Sequence, residues 1–210
     1  MTQYTKLLKS EIQGIAGNFK LDVIDYELIE QGVVNSNYLI DTNEGKYVLT
    51  VFEIKPKQIG YMSKILLLLE KYDFPAPRLK NMSNGEVLAK YQEKAVLVKS
   101  YIPGQTLKNL EEGQAHQVGA ALATLHEIPA PNYLSSHHTY LKKPYPLVIE
   151  QEIDRGYKKW VEKKCREIAE RIQSNLPVGL AHGDLFCDNV LSKDDKFKAI
   201  LDFEEICRMW

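Results

Sequence analysis

Cysteine is scarce: Cys165, Cys187 and Cys207 are the only three in 210 residues, and no two are spaced CxxC. That excludes a disulfide framework and a zinc cluster as the organising device. Long hydrophobic runs are missing as well. The longest aliphatic stretch is residues 65–69, far short of the roughly 20 residues that span a bilayer, and the first residues lack the apolar stretch of a signal peptide. Neither sign of charge dominates, with 27 Lys and Arg against 28 Asp and Glu for a net charge of −1. Such a balance gives no global attraction to nucleic acid or an anionic membrane. What is present is ordinary globular composition, 44% hydrophobic and 26% charged. It excludes a disordered or low-complexity chain. The expectation is a soluble, cytoplasmic globular protein without nucleic-acid or membrane partners, long enough for one large domain or two modest lobes.

The punctuation along the chain divides it in two. Leu7, Leu8, Ile12, Ile15 and Phe19 recur at helical spacing within residues 5–19, which predicts a short amphipathic helix. Residues 33–41 and 47–52 flank the turn-forming Thr42-Asn43-Glu44-Gly45, and this pattern predicts a hairpin. A helix opened by Pro56 carries Ile59, Met62, Leu66, Leu69 and Tyr72 on one face and stops before Pro75. Residues 87–91 and 95–101 read as a second hairpin. From Leu107 to about Ser174 the pattern is helical, apart from a Pro-rich break over 129–146. Ala115, Val118, Leu122 and Leu125 make one apolar face, and Ile149, Ile153, Tyr157, Trp160, Ile168 and Ile172 supply later ones. Residues 179–202 read as strand, loop and hairpin. Strands first and helices afterwards imply an α+β, bilobal arrangement: a strand-rich N-terminal lobe over 1–101, a hinge at 102–106 and a helical lobe over 107–210, with a ligand site between them.

The most informative run is Ala181-His182-Gly183-Asp184-Leu185-Phe186-Cys187-Asp188-Asn189-Val190-Leu191, followed by Leu201-Asp202-Phe203. If Asp195-Lys196 is a two-residue hairpin loop, Leu191 pairs with Ile200 and Asn189 with Asp202. Opposed residues have Cβ atoms roughly 4.5–5.5 Å apart, so an amide oxygen and a carboxylate converge, matching the oxygen ligands Mg²⁺ prefers. A register slip of one residue leaves both groups at the same hairpin mouth. Asp184, five residues before Asn189, supplies a carboxylate able to orient and deprotonate a hydroxyl. Phosphoryl transfer asks for that division of labour, accurate positioning with charge neutralisation. Alone, Asp202 would read as a strand-end turn residue. The three together read as a kinase site. His137-His138 has no metal-ligating partner at useful spacing, and Cys187 has no activating base beyond His182.

These motifs resemble the aminoglycoside phosphotransferase-like kinases, small-molecule relatives of protein kinases. By that resemblance Asp184 is the catalytic base, Asn189 and Asp202 bind Mg²⁺, and His182 supports the catalytic loop. Residues 32–38, 47–53 and 184–191 are together similar to the protein-kinase-like homoserine kinases, and the resemblance runs through the whole chain in order. It implies a protein-kinase-like fold, an ATP- and Mg²⁺-dependent reaction, and L-homoserine as the acceptor; an aminoglycoside, choline, methylthioribose or hydroxylysine is the alternative acceptor, and a non-catalytic nucleotide-binding module the alternative role. It further implies that residues 31–38 cover the phosphates, with Asn35, Ser36 and Asn37 as donors. Ser100, Tyr101 and Ile102 would meet the adenine edge, and Val48, Val98 and Ile200 its face.

Two departures accompany the resemblance. Thr50 stands where protein kinases carry a third-strand lysine, which leaves the phosphate-binding cation unidentified. Lys46 is on the same face by period-2 counting but roughly 13 Å away. Family members also continue well beyond the magnesium aspartate, so the helical lobe is expected to be truncated here, exposing faces such as that of Trp160 to self-association.

Overall fold

The computed structural model describes residues 5–29, 34–53, 59–136, 154–171 and 177–209. Pro56, His137, His138, Ile149, Ile153 and Ile172 lie outside them, as does the start of the expected phosphate-covering turn at Gln31 and Gly32.

Helix α1 (Lys9–Gly17) begins where the Glu11 carboxylate accepts the Leu8 N–H at 2.7 Å, satisfying a helix-start amide that has no partner within the helix. It buries Ile12, Ile15 and Ala16, one stripe of a 3.6-residue repeat. Leu8 falls outside that stripe and is exposed. The helix lies on a five-stranded antiparallel sheet made of β1 (Val23–Ile29), β2 (Ser36–Thr42), β3 (Gly45–Val51), β4 (Leu88–Tyr91) and β5 (Lys94–Ser100), ordered β1-β2-β3-β5-β4. The expected hairpins are both there, β2–β3 closing with Thr42 opposite Gly45 and β4–β5 with Tyr91 opposite Lys94.

The register sorts this sheet into two faces. Directly opposed residues share a face, so Tyr38, Ile40, Leu49, Val51, Val96 and Val98 line one, where they form a core with Ile12, Ile15, Ala16 and Phe19 of the α1 region. Asn37, Leu39, Val48, Thr50, Leu97 and Lys99 line the other. Ser36 falls on the α1 face, and beside it the buried Glu53 carboxylate gathers Ser36 Oγ, the Thr5 N–H and hydroxyl, and the Lys94 ammonium. This network ties the segment before α1 to the sheet.

Helix α2 (Ile59–Lys71) buries Met62, Ile65, Leu66 and Leu69 and is followed by Asp73, which has a left-handed φ of 50°, and then by Pro75. Strand β6 (Gln105–Thr106), β8 (Val190–Lys193) and β9 (Lys196–Ile200) make a second sheet ordered β6-β8-β9. Gly104 admits this pairing, since a Cβ there would stand 2.9 Å from the Ser192 carbonyl oxygen. In helix α3 (Glu112–Glu127) the buried positions are Gln114, Val118, Ala121 and Leu125; Val118 and Leu125 are as expected, whereas Ala115 is exposed and Leu122 half-buried, and the adjacent Gln114 and Ala121 take their places. Gln114 takes the buried place because its side-chain oxygen accepts the Glu111 N–H at 3.1 Å.

The chain divides into two compact units, Met1–Ala121 with Leu185–Glu204, and Leu122–Asp184 with Glu205–Trp210. In the second, β7 (Gly179–Ala181) pairs antiparallel with β10 (Cys207–Met209). Helix α4 (Arg155–Arg171) starts at Asp154, whose carboxylate accepts the Gly156 and Tyr157 N–H groups at 2.9 Å each. Tyr157 and Trp160 stack at 5.8 Å on a side of α4 that is exposed. Among the described residues, no helix is long and apolar enough to cross a membrane.

Candidate active site

In the first unit the site is built on the β8–β9 hairpin. Its two-residue loop is Asp194-Asp195, both left-handed with φ of 52° and 56°, and not Asp195-Lys196. A two-residue hairpin turn of this kind needs positive φ at both central positions, which Asp tolerates better than Lys. The earlier turn pairs Lys193 with Lys196 and Ser192 with Phe197. An irregularity between Leu191 and Ser192 then restores part of the shift, so that Leu191 faces Ala199 and Val190 faces Ile200. Consequently Leu201 donates its N–H to the Asn189 carbonyl at 2.8 Å, and Asp202 falls one residue past direct opposition to Asn189. Both residues remain at the mouth of the hairpin, Asn189 just before β8 and Asp202 just after β9.

Three anchors fix this mouth. Phe203 is buried edge-to-face on Phe74, with centroids 6.3 Å apart. The Ile200 N–H donates to the Pro75 carbonyl at 3.0 Å. On the other side, the Gln117 side chain of α3 accepts the Phe197 N–H at 3.0 Å. Asp202 itself is exposed and left-handed at φ 57°, with its carboxylate accepting the Glu204 N–H at 3.4 Å.

The candidates from the β1–β2 end of the sheet separate by parity. Asn35 donates its side-chain amide to Glu204 Oε1 at 2.6 Å, so the segment entering β2 meets the segment leaving β9. Asn37 accepts the Thr50 hydroxyl at 2.7 Å. Ser36 points the other way, buried against Glu53, and its hydroxyl is not offered on that side. Val48 shares the face of Thr50, whereas Val98 belongs to the α1 core, which corrects its expected place on the adenine face. At the end of β5 the Ser100 N–H donates to the Arg78 carbonyl at 2.8 Å and the Tyr101 N–H to the Lys46 carbonyl at 3.2 Å. Ile102 follows directly.

Two residues that sequence reading passed over join this face. Lys99 is opposite Val48 and beside Thr50; burial pushes its ammonium down, and the carboxylates of Asp202 and Glu204 push it back up. The signal was available in the alternation of Val96, Leu97, Val98 and Lys99, which puts a lysine in register with the buried Leu97. Glu204 gave no such signal, because only the fold brings it to Asn35.

In the second unit His182 is buried, and its Nδ1 accepts the Asp184 N–H at 3.3 Å. Gly183 between them has φ 83°, a conformation that L side chains rarely adopt. The His182 side chain is thus tied to the backbone at Asp184.

The oxygen donors Asn189 and Asp202 suit a hard cation such as Mg²⁺. Among the described residues, no group of three His, Cys, Asp or Glu side chains could hold a metal. Two protein donors fit an ion that completes its shell with phosphate oxygens and water, not one held in an all-protein cage.

The homoserine kinase of Caulobacter sp. (strain K31) is 27% identical over 218 residues, 99% of this chain and 68% of that protein. The homoserine kinase of Agrobacterium fabrum (strain C58) is 26% identical over 220 residues, 99% of this chain and 67% of that one. Among solved structures, spectinomycin phosphotransferase in complex with ADP and spectinomycin superposes with a TM-score of 0.74 at 15% identity, over 97% of this chain and 70% of that one, so the fold is kinase-like. The model of the phosphotransferase enzyme family (APH) matches residues 25–210, and the chain belongs to that family.

Proposed function

We propose that this chain carries the machinery of an ATP- and Mg²⁺-dependent small-molecule kinase whose acceptor is the hydroxyl of L-homoserine. The observation that carries the reading is the Leu201–Asn189 backbone bond at the mouth of the β8–β9 hairpin, which puts Asn189 and Asp202 one residue apart in register, next to a Glu204 held by Asn35. The homoserine kinases matched over 99% of the chain support the choice of acceptor.

In this reading the acceptor hydroxyl oxygen forms a bond to the γ-phosphorus while the bond from that phosphorus to the β–γ bridging oxygen breaks, and ADP leaves. Asp184 accepts the hydroxyl proton, and His182 fixes its backbone. Bound through Asn189 and Asp202, Mg²⁺ would supply charge neutralisation across the phosphates. Asn37 offers its side-chain amide toward phosphate oxygens, as does the second N–H of the Asn35 amide whose first is given to Glu204, and Val48 offers apolar contact to the base. The Ser100 and Tyr101 N–H groups are already engaged, so the adenine edge falls to Ile102 and the hinge carbonyls. In this reading residues 1–101 bind the nucleotide and 107–210 carry the catalytic residues, with 102–106 as the hinge, a functional division that differs from that of the two compact units, whose first break falls at Ala121. The location is cytoplasmic, where ATP is supplied. Self-association would use the exposed Tyr157, Trp160 and Ile168 of α4.

An ATP-consumption assay across homoserine, an aminoglycoside, choline, methylthioribose and hydroxylysine tests the reading. Turnover is expected with homoserine, and turnover confined to another alcohol would reassign the acceptor. A second reading, a nucleotide-binding module without catalysis, draws on Thr50, whose hydroxyl is spent on Asn37. It predicts a Mg-ATP-dependent rise in Tm with no product from any alcohol.

A further inference from the structure

We propose that Lys99, delivered from β5, is the cation that holds the nucleotide phosphates, doing from a neighbouring strand what Thr50 cannot do from β3. The inference rests on the kinase reading and names a residue within it.

The sheet register gives the geometry. Thr50 is directly opposite Leu97, and Val48 directly opposite Lys99. Lys99 is therefore the diagonal neighbour of Thr50 on the same face. Diagonal pairs on adjacent strands lie roughly 7–8 Å apart, a gap that the flexible four-carbon stem of lysine can span. Lys46, the other lysine of that face on β3, is exposed and lies opposite Asp41 toward the far end of the hairpin. Lys99 is half-buried on that face, and the carboxylates of Asp202, at the hairpin mouth, and Glu204, held by Asn35, act on its ammonium electrostatically. Both carboxylates follow β9 in the segment assigned to the metal, and Glu204 is in turn bonded to Asn35 of the turn assigned to the phosphates. An ammonium at that point lies among the groups that would surround a polyphosphate. Lysine is suited to this role as a compact point charge with three rotatable donors.

A counter-ion that merely balances Asp202 and Glu204 would have the same surroundings, so the test must separate phosphate contact from general support. Affinities for Mg-ATP, Mg-ADP and adenosine are measured by calorimetry on the whole chain for wild type, Lys99→Met and Lys99→Arg, with thermal melting to confirm folding. Loss of one charge-assisted contact predicts that Lys99→Met weakens ATP and ADP binding by about 10–100-fold and leaves adenosine unchanged. Lys99→Arg should recover most of the loss. Equal weakening of all three ligands, or ATP binding by Lys99→Met at wild-type affinity, would overturn the assignment and leave the kinase reading standing. Wild-type protein that binds no nucleotide would overturn both. Should Lys99→Met not fold, the side-chain NMR signals of Lys99 in the wild type decide: a shift on adding ADP but not adenosine supports the contact, and no shift with ADP refutes it.

Discussion

The side-chain amide of Asn35 donates to Glu204 Oε1 at 2.6 Å, joining positions 169 residues apart in the chain. Through Glu204, whose own N–H donates to the Asp202 carboxylate, the segment entering β2 is coupled to the hairpin mouth. The bond runs from a neutral donor to a carboxylate, the stronger class of protein hydrogen bond.

Asn35→Ala should therefore lower stability by about 1–2 kcal/mol, read as a shift in the urea midpoint with an unchanged slope. Glu204→Gln, which keeps an acceptor but loses the charge, should cost less. Identical wild-type and Asn35→Ala midpoints would show that the bond contributes nothing in solution.

Asp202→Asn keeps a residue that accepts the left-handed backbone observed there, φ 57°, while removing the carboxylate. The fold should survive with a near-native melting curve, and the Mg²⁺-dependent part of ATP binding should drop by about tenfold or more. Calorimetry with and without Mg²⁺ measures it. A variant whose ATP affinity keeps the full Mg²⁺ dependence would remove Asp202 from the metal.

The buried Glu53 links acid sensitivity to the α1 face. Burial raises its pKa, but the hydrogen bonds from Lys94, Ser36 and Thr5 outweigh that, lowering it from 4.5 to about 2. A carboxylate whose folded pKa is depressed contributes its stability above the unfolded value, and that stability drains away as pH falls from about 4.5 toward 2. The contribution is on the order of 3 kcal/mol. Urea melts at pH 6 and pH 3 should show this loss in wild type and a smaller one in Glu53→Gln. Equal pH sensitivity would assign the acid lability elsewhere.

The sequence was most readable where local chemistry decides the outcome. Thr42-Asn43-Glu44-Gly45 closes a hairpin because its residues suit the turn, and Ile12, Ile15 and Ala16 form a stripe because helical spacing requires it. That Asn189 and Asp202 stand at one hairpin mouth was legible from strand arithmetic, but their register was not. Paired left-handed aspartates and an irregular ladder moved the partners, and neither follows from alternation alone. Ser36 and Val98 were misjudged for one shared reason: parity shows that they are on a common face, but only the position of α1 tells which face is core. Lys99 escaped notice because β5 reads as an apolar strand. Its place beside Thr50 appears only once β3 and β5 are paired.

The most direct test of the central claim is phosphate transfer from γ-labelled ATP to L-homoserine by the wild type and by Asp184→Asn, with ATP binding measured on both. Label should appear on the homoserine hydroxyl with wild type. It should fall by about 10²–10⁴-fold in the variant, while the ATP affinities stay within about twofold of each other. Folded wild-type protein that binds Mg-ATP and labels neither homoserine nor another alcohol, or an Asp184→Asn variant as fast as wild type, would contradict the account.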